Sequence, residues 1–170
     1  MFILKVILMV LIGIVAVIQD VRSEKISNWL ILIGLILGLS YDIEKMGARG
    51  ILFWLGGMSI PFVFLFILYF FRTIGSGDIK LFCVFGGFLG IFPILKCIIV
   101  AFLIGAVMSF GVIIWNKNGI ERLSYLGNYI MEWRETKNWR PYYAKEQTGN
   151  TIHFSIPITI SMILYLGGVF

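Results

Sequence analysis

Between Arg49 and Arg72 the chain runs for 22 residues without a charged side chain. About 20 apolar residues in a helix cross a hydrocarbon layer roughly 30 Å thick. The run therefore reads as a membrane span, and the rest of the chain has to be compatible with one. Composition agrees. Hydrophobic residues make up 59% of the 170, and charged ones 14%, where a soluble domain carries about 25%. That much apolar surface cannot be hidden in a soluble core of this size, so lipid is the expected solvent.

Apolar runs of spanning character fall at roughly 2–19, 27–41, 50–71, 79–95, 97–115 and 152–170. The second is short and needs little tilt, or a locally thinned bilayer. Pro93 and Lys96 divide what would otherwise be one overlong stretch into the fourth and fifth. The first run lacks a small-x-small cleavage site and is expected to be a retained helix rather than a signal peptide. The fold class expected is an all-α integral membrane protein, one domain over 1–170 with six transmembrane helices.

Cations orient these helices. The first, third and fifth connections hold Arg22, Lys25, Arg72, Lys80, Lys117, Arg122, Arg134, Lys137, Arg140 and Lys145; the other side holds Lys5, Lys45, Arg49 and Lys96. Ten against four places the odd connections in the cytoplasm and both termini outside. The net charge of +5 thus reads as topology, not as a nucleic-acid surface. The polar insertion 116–150 carries Ile120, Leu123, Leu126, Ile130 and Trp133 roughly on one helical face. It is expected to hold a cytoplasmic helix lying in the membrane interface.

Small residues four apart, Gly34 with Gly38 and Gly86 with Gly90, suggest close helix contacts. Pro61 and Pro157 are expected to bend their helices or free a carbonyl. Cys83 and Cys97 form no Cys-x-x-Cys pair; neither a disulfide framework nor a zinc ribbon is implied, and no metal or cofactor is expected. His153, the only histidine, is assigned no catalytic role.

Two acids stand out. Asp20 ends the first apolar run, and Asp78 lies in Gly75-Ser76-Gly77-Asp78-Ile79-Lys80 before the fourth. Singly, each has a structural reading, Asp78 as a helix N-cap and Asp20 as the aqueous end of a helix. Together, on one membrane face, they have the makings of a hydrolytic pair. One ionised carboxylate takes a proton from water while a protonated one polarises the carbonyl, and groups sharing a proton titrate as a dyad. Gly75 and Gly77 let the backbone turn and a substrate approach closely. The helix dipole favours an anion at Asp78 and disfavours one at Asp20, which puts the shared proton on Asp20. The motif lacks P-loop spacing, so no nucleotide site is read.

Asp20-Val21-Arg22-Ser23-Glu24-Lys25-Ile26-Ser27-Asn28 resembles the first signature of type IV prepilin peptidases. Gly75-Ser76-Gly77-Asp78-Ile79-Lys80-Leu81, with Gly86 and Leu89-Gly90 following, is similar to the second. The resemblance implies a metal-free aspartic endopeptidase with Asp20 and Asp78 as the catalytic pair. Gly75, Gly77, Lys80 and Asn28 would shape the site or bind substrate. It further implies removal of a short basic leader from prepilin-like or preflagellin-like proteins at the cytoplasmic face of the cell membrane. Ser27 stands where the family usually has proline, which is expected to change only local turn rigidity. The cysteine-bearing N-terminal domain of the bifunctional members is not seen, so N-methyltransferase activity is not expected. Three other readings compete: another Gly-x-Gly-Asp intramembrane protease, a small transporter or proton channel, and a non-catalytic assembly protein of a pilus or secretion system. The first two expect acids within the hydrocarbon or in mid-helix; here both fall at helix ends beside cations.

Overall fold

The computed structural model describes residues 2–71, 73–115 and 153–170. Six helices and no strand occur among them: α1 (Phe2–Ser23), α2 (Asn28–Met46), α3 (Ala48–Phe70), α4 (Ser76–Leu89), α5 (Ile91–Trp115) and α6 (Ser155–Leu166). The chain divides into two compact units. Met1–Gly105 with His153–Phe170 form the first, and Ala106–Ile152 the second, of which 106–115 are described as helix. The interfacial helix expected over 116–150 lies outside the described residues.

Among the described residues three stretches are long and apolar enough to cross a membrane, Ile3–Ser23, Ala48–Phe70 and Ile91–Val112. The expectation of six full-length spans is therefore refined. α2 is longer than the apolar run that announced it, because Asp42, Glu44 and Lys45 continue the helix to Met46. The 14 residues of α4 and the 12 of α6 rise only about 21 and 18 Å.

The short α4 is the centre of the first unit. From Leu81 through Gly90 every residue is buried. A helix apolar on all sides belongs inside a bundle, and α4 packs against α1, α2, α3 and α6. Its tightest neighbour is α3, where a side chain on Gly57 would run into the carbonyl of Gly86, and one on Gly86 into that of Gly57. The small residues foreseen in α2 serve the same purpose. A Cβ on Gly34 would lie 2.7 Å from Val84, and one on Gly38 would lie 3.3 Å from both Phe88 and Trp54.

The α4–α5 boundary falls earlier than Pro93 and Lys96 suggest. Gly90 takes a φ of 86°, a left-handed conformation that glycine adopts freely, and α5 starts at Ile91. Pro93 then lies in the first turn, where its missing N–H costs nothing. Pro157 has the same position in α6, third from the start, so it bends no helix interior. Pro61 alone is buried inside a long helix, α3.

Candidate active site

Asp20 sits one turn before the end of α1, not at its last residue. The helix continues to Ser23 and stops where Glu24 turns to a φ of 53°. Ser27 then caps α2, accepting the Trp29 N–H at 3.3 Å, while its own N–H donates to Gln19 Oε1 at 2.8 Å. Proline has no N–H for that second bond. Serine at 27 thus exchanges ring rigidity for a polar tie between α1 and the start of α2.

The start of α6 completes the surroundings of Asp20. Ser155 Oγ donates to Asp20 Oδ2 at 2.6 Å, from a residue with no exposed surface. His153 Nδ1 stands 3.7 Å from the same oxygen. His153, assigned no catalytic role from the sequence, thus faces one of the two acids. Ser155 and His153 are the residues the sequence did not disclose. Ser155 lies 135 positions from Asp20, and nothing in its local pattern ties it to α1. Antiparallel packing does so: two turns back along α1, a Cβ on Gly13 would meet Thr159 Cγ2 at 2.7 Å.

Asp78 is not the N-cap of α4. Gly75 is, with no side chain to cap with. Asp78 is the third residue of the helix, and its carboxylate reaches back to accept the Gly75 N–H. That is the return arm of a capping box. The dipole argument for Asp78 as the anion is outweighed. Burial first, and the Asp20 charge second, push the Asp78 carboxyl up to about 6, while the Gly75 N–H pulls the other way. The direction follows from desolvation and like charge, both of which penalise a second anion. The shift at Asp78 runs against the expected placement of the shared proton, and Ser155 and His153 stand beside the other acid.

The two glycines differ in kind. A Cβ at Gly75 would stand 3.1 Å from Asp78 Oδ2, crowding the carboxylate, whereas one at Gly77 would make ordinary contact with Ile26 at 3.5 Å. Lys80 Nζ donates to Asn28 Oδ1 at 2.8 Å, bracing α4 against the start of α2. Asp20, Asp78, Gly75, Gly77, Lys80 and Asn28 all line one cleft of about 350 Å³, together with Glu24, Lys25, Ile26 and Ser76. Among the described residues no group of three or more His, Cys, Asp or Glu is placed to hold a metal. The cleft thus combines one carboxylate that receives a hydroxyl donor with one that keeps its proton unusually far up the pH scale. That is the pairing general acid–base hydrolysis needs.

Comparison with curated proteins and with solved structures returns no match. The model of the type IV leader peptidase family does match, over residues 7–110. That stretch carries both Asp20 and Asp78 and ends before His153 and Ser155. An all-helical bundle with membrane-crossing helices, two acids at one end of it and a family match over most of the chain agree: this protein belongs to the type IV leader peptidase family.

Proposed function

We propose that the chain is an aspartic endopeptidase that removes a short basic leader from type IV prepilin-like or preflagellin-like proteins, working at the cytoplasmic face of the cell membrane. Asp20 and Asp78 are the catalytic pair. The observation that carries this reading is their shared cleft, with Asp78 raised to about 6 beside Asp20.

The chemistry follows from the two environments. Asp20, ionised and held by the Ser155 hydroxyl, takes a proton from a water in the cleft. The water oxygen attacks the peptide carbonyl carbon, and protonated Asp78 delivers its proton to the carbonyl oxygen. Collapse of the tetrahedral diol breaks the C–N bond. The proton on Asp20 goes to the leaving nitrogen, and one hydroxyl of the diol returns its proton to Asp78, which restores both acids. No metal enters this scheme. Lys80 and Asn28 hold the start of α4, and so the position of Asp78, relative to α2.

Co-expression with a candidate prepilin tests the reading through the mobility shift that accompanies leader removal. Asp20→Asn and Asp78→Asn are each expected to abolish the shift while the protein stays in the membrane fraction. Full processing by either variant would remove the two-aspartate mechanism.

A further inference from the structure

A second hollow adjoins the acid cleft, running between α2, α3 and α4. It encloses about 550 Å³ and is walled by Leu35, Met58, Phe62, Phe66, Tyr69 and Ile79. Phe62, Phe66 and Tyr69 occupy one face of α3 and stack in sequence, with ring centroids 5.6 and 6.4 Å apart. All three are open to the surroundings, 55%, 51% and 45% exposed. Ser76 and Lys80 line this groove and the acid cleft alike, so the two spaces adjoin at the start of α4. The α3 wall brings two hydroxyls to the groove, those of Ser59 and Tyr69; Ser59 Oγ already donates to the Leu55 carbonyl at 2.7 Å.

We propose that this groove seats an apolar helical segment of the protein substrate, continuous with the peptide bond held at Asp20 and Asp78. The proposal rests on the peptidase reading above and adds where the substrate lies. A helix is required because the groove offers almost no polar partner to an extended backbone, and in lipid a segment must bond its own N–H and C=O groups. From Met58 to Tyr69 the α3 wall is about 16 Å long, enough for roughly three turns of a docked helix. Side chains three and four apart on that helix fit between the ring steps of Phe62, Phe66 and Tyr69, the usual mode of helix-in-groove recognition. Specificity is then for an apolar stripe of the right spacing next to the cut bond. A lipid chain or a second copy of this protein would fill the same space without any link to the cleft.

Photo-cross-linking decides between these occupants. Benzoylphenylalanine replaces Phe62 or Phe66 in the inactive Asp78→Asn protein, and for comparison Ile99 or Leu103, exposed on α5; a candidate prepilin is co-expressed. Substrate adducts at 62 and 66 are expected to exceed those at 99 and 103 by about tenfold. Equal yields at all four positions, or adducts at 62 and 66 only to lipid or to a second copy, overturn the proposal. A kinetic arm fills the groove with Met58→Trp. It compares the full candidate prepilin with a peptide truncated shortly after the cut. A fall of about tenfold in kcat/KM for the full substrate alone supports the groove, and an equal loss on both substrates, or none on either, overturns it. Cleavage that persists in Asp78→Asn counts against the catalytic pair instead, and the cross-link pattern still reports on the groove.

Discussion

At the scale of single residues, the two acids are made unequal by what surrounds them, and that inequality is measurable. Ser155 supplies a neutral donor to a charged acceptor, a bond worth about 1.5–3 kcal/mol. Ser155→Ala is therefore expected to lower kcat by roughly ten- to a hundredfold with little change in KM, and Ser155→Thr, which keeps the hydroxyl, to restore much of it. A purely structural serine would show no such rescue. Asp78 gives a second handle through pH. If its protonated form is the acid, kcat/KM falls about tenfold per unit above a pH of about 6. The same group lowers stability. Folded Asp78 keeps its proton up to about 6, whereas the unfolded carboxyl releases it near 3.8. The folded state thus binds more protons across that window, so stability is lost as pH rises through it. Asp78→Asn removes the penalty and is expected to stabilise the inactive protein at pH 7.5 by on the order of 2 kcal/mol, a gain that fades towards pH 4. Thermal melts in detergent at both pH values check this.

At the scale of elements, the position of Asp78 depends on how closely α4 can lie against α3. The carbonyls of Gly57 and Gly86 occupy the space a Cβ would need, and backbone cannot move aside as a flexible side chain can. Gly86→Ala is expected to cost about 1–3 kcal/mol by overpacking and to reduce cleavage, because Asp78 moves with its helix. Gly111→Ala, in α5 with nothing within 4 Å of the added carbon, is expected to be neutral or slightly stabilising, as Ala replaces Gly in a helix. Melting temperature and processing of the two variants distinguish the packing effect from helix propensity. The same contact shows what could be read from the chain and what could not. Apolar length revealed the helices and their order, and the polar ends of two runs revealed Asp20 and Asp78. Gly34, Gly38 and Gly86 were legible as close-packing residues from their spacing, but Gly57 was not, since its partner is set by how α3 crosses α4. The α4–α5 boundary was misplaced because proline is a stronger local signal than Gly90, although proline is harmless in a first turn. Ser155 was invisible for a third reason: its partner is brought to it only by the antiparallel packing of α6 on α1.

At the scale of the whole molecule, polar groups collect at the two ends of the first unit, and the ends differ. One end holds the cleft with Asp20, Asp78, Lys25 and Lys80. The other holds Asp42, buried to 1% exposure with Oδ2 unpartnered among the described residues, and Lys5, whose Nζ lies 5.8 Å from the Tyr41 ring centroid. α2 connects the ends. Its 19 residues rise about 28 Å, close to the thickness of the hydrocarbon layer. In the sequence, ten of the chain's cations fall in the first, third and fifth connections between apolar runs and four elsewhere, and lysine and arginine excess is expected on the cytoplasmic side. Two positions flanking α2 turn that asymmetry into a test. Lys25→Cys, before α2, is expected to react with a membrane-impermeant maleimide only after the cells are opened. Met46→Cys, the last residue of α2 and 42% exposed, is expected to react in intact cells. Cys83 and Cys97 are both buried and contribute little background. The reverse pattern would turn the cleft away from the cytoplasm. Labelling of both positions from one side would mean that α2 does not cross, and Asp20 and Asp78 would then have to share their cleft without the two membrane crossings, α2 and α3, between them.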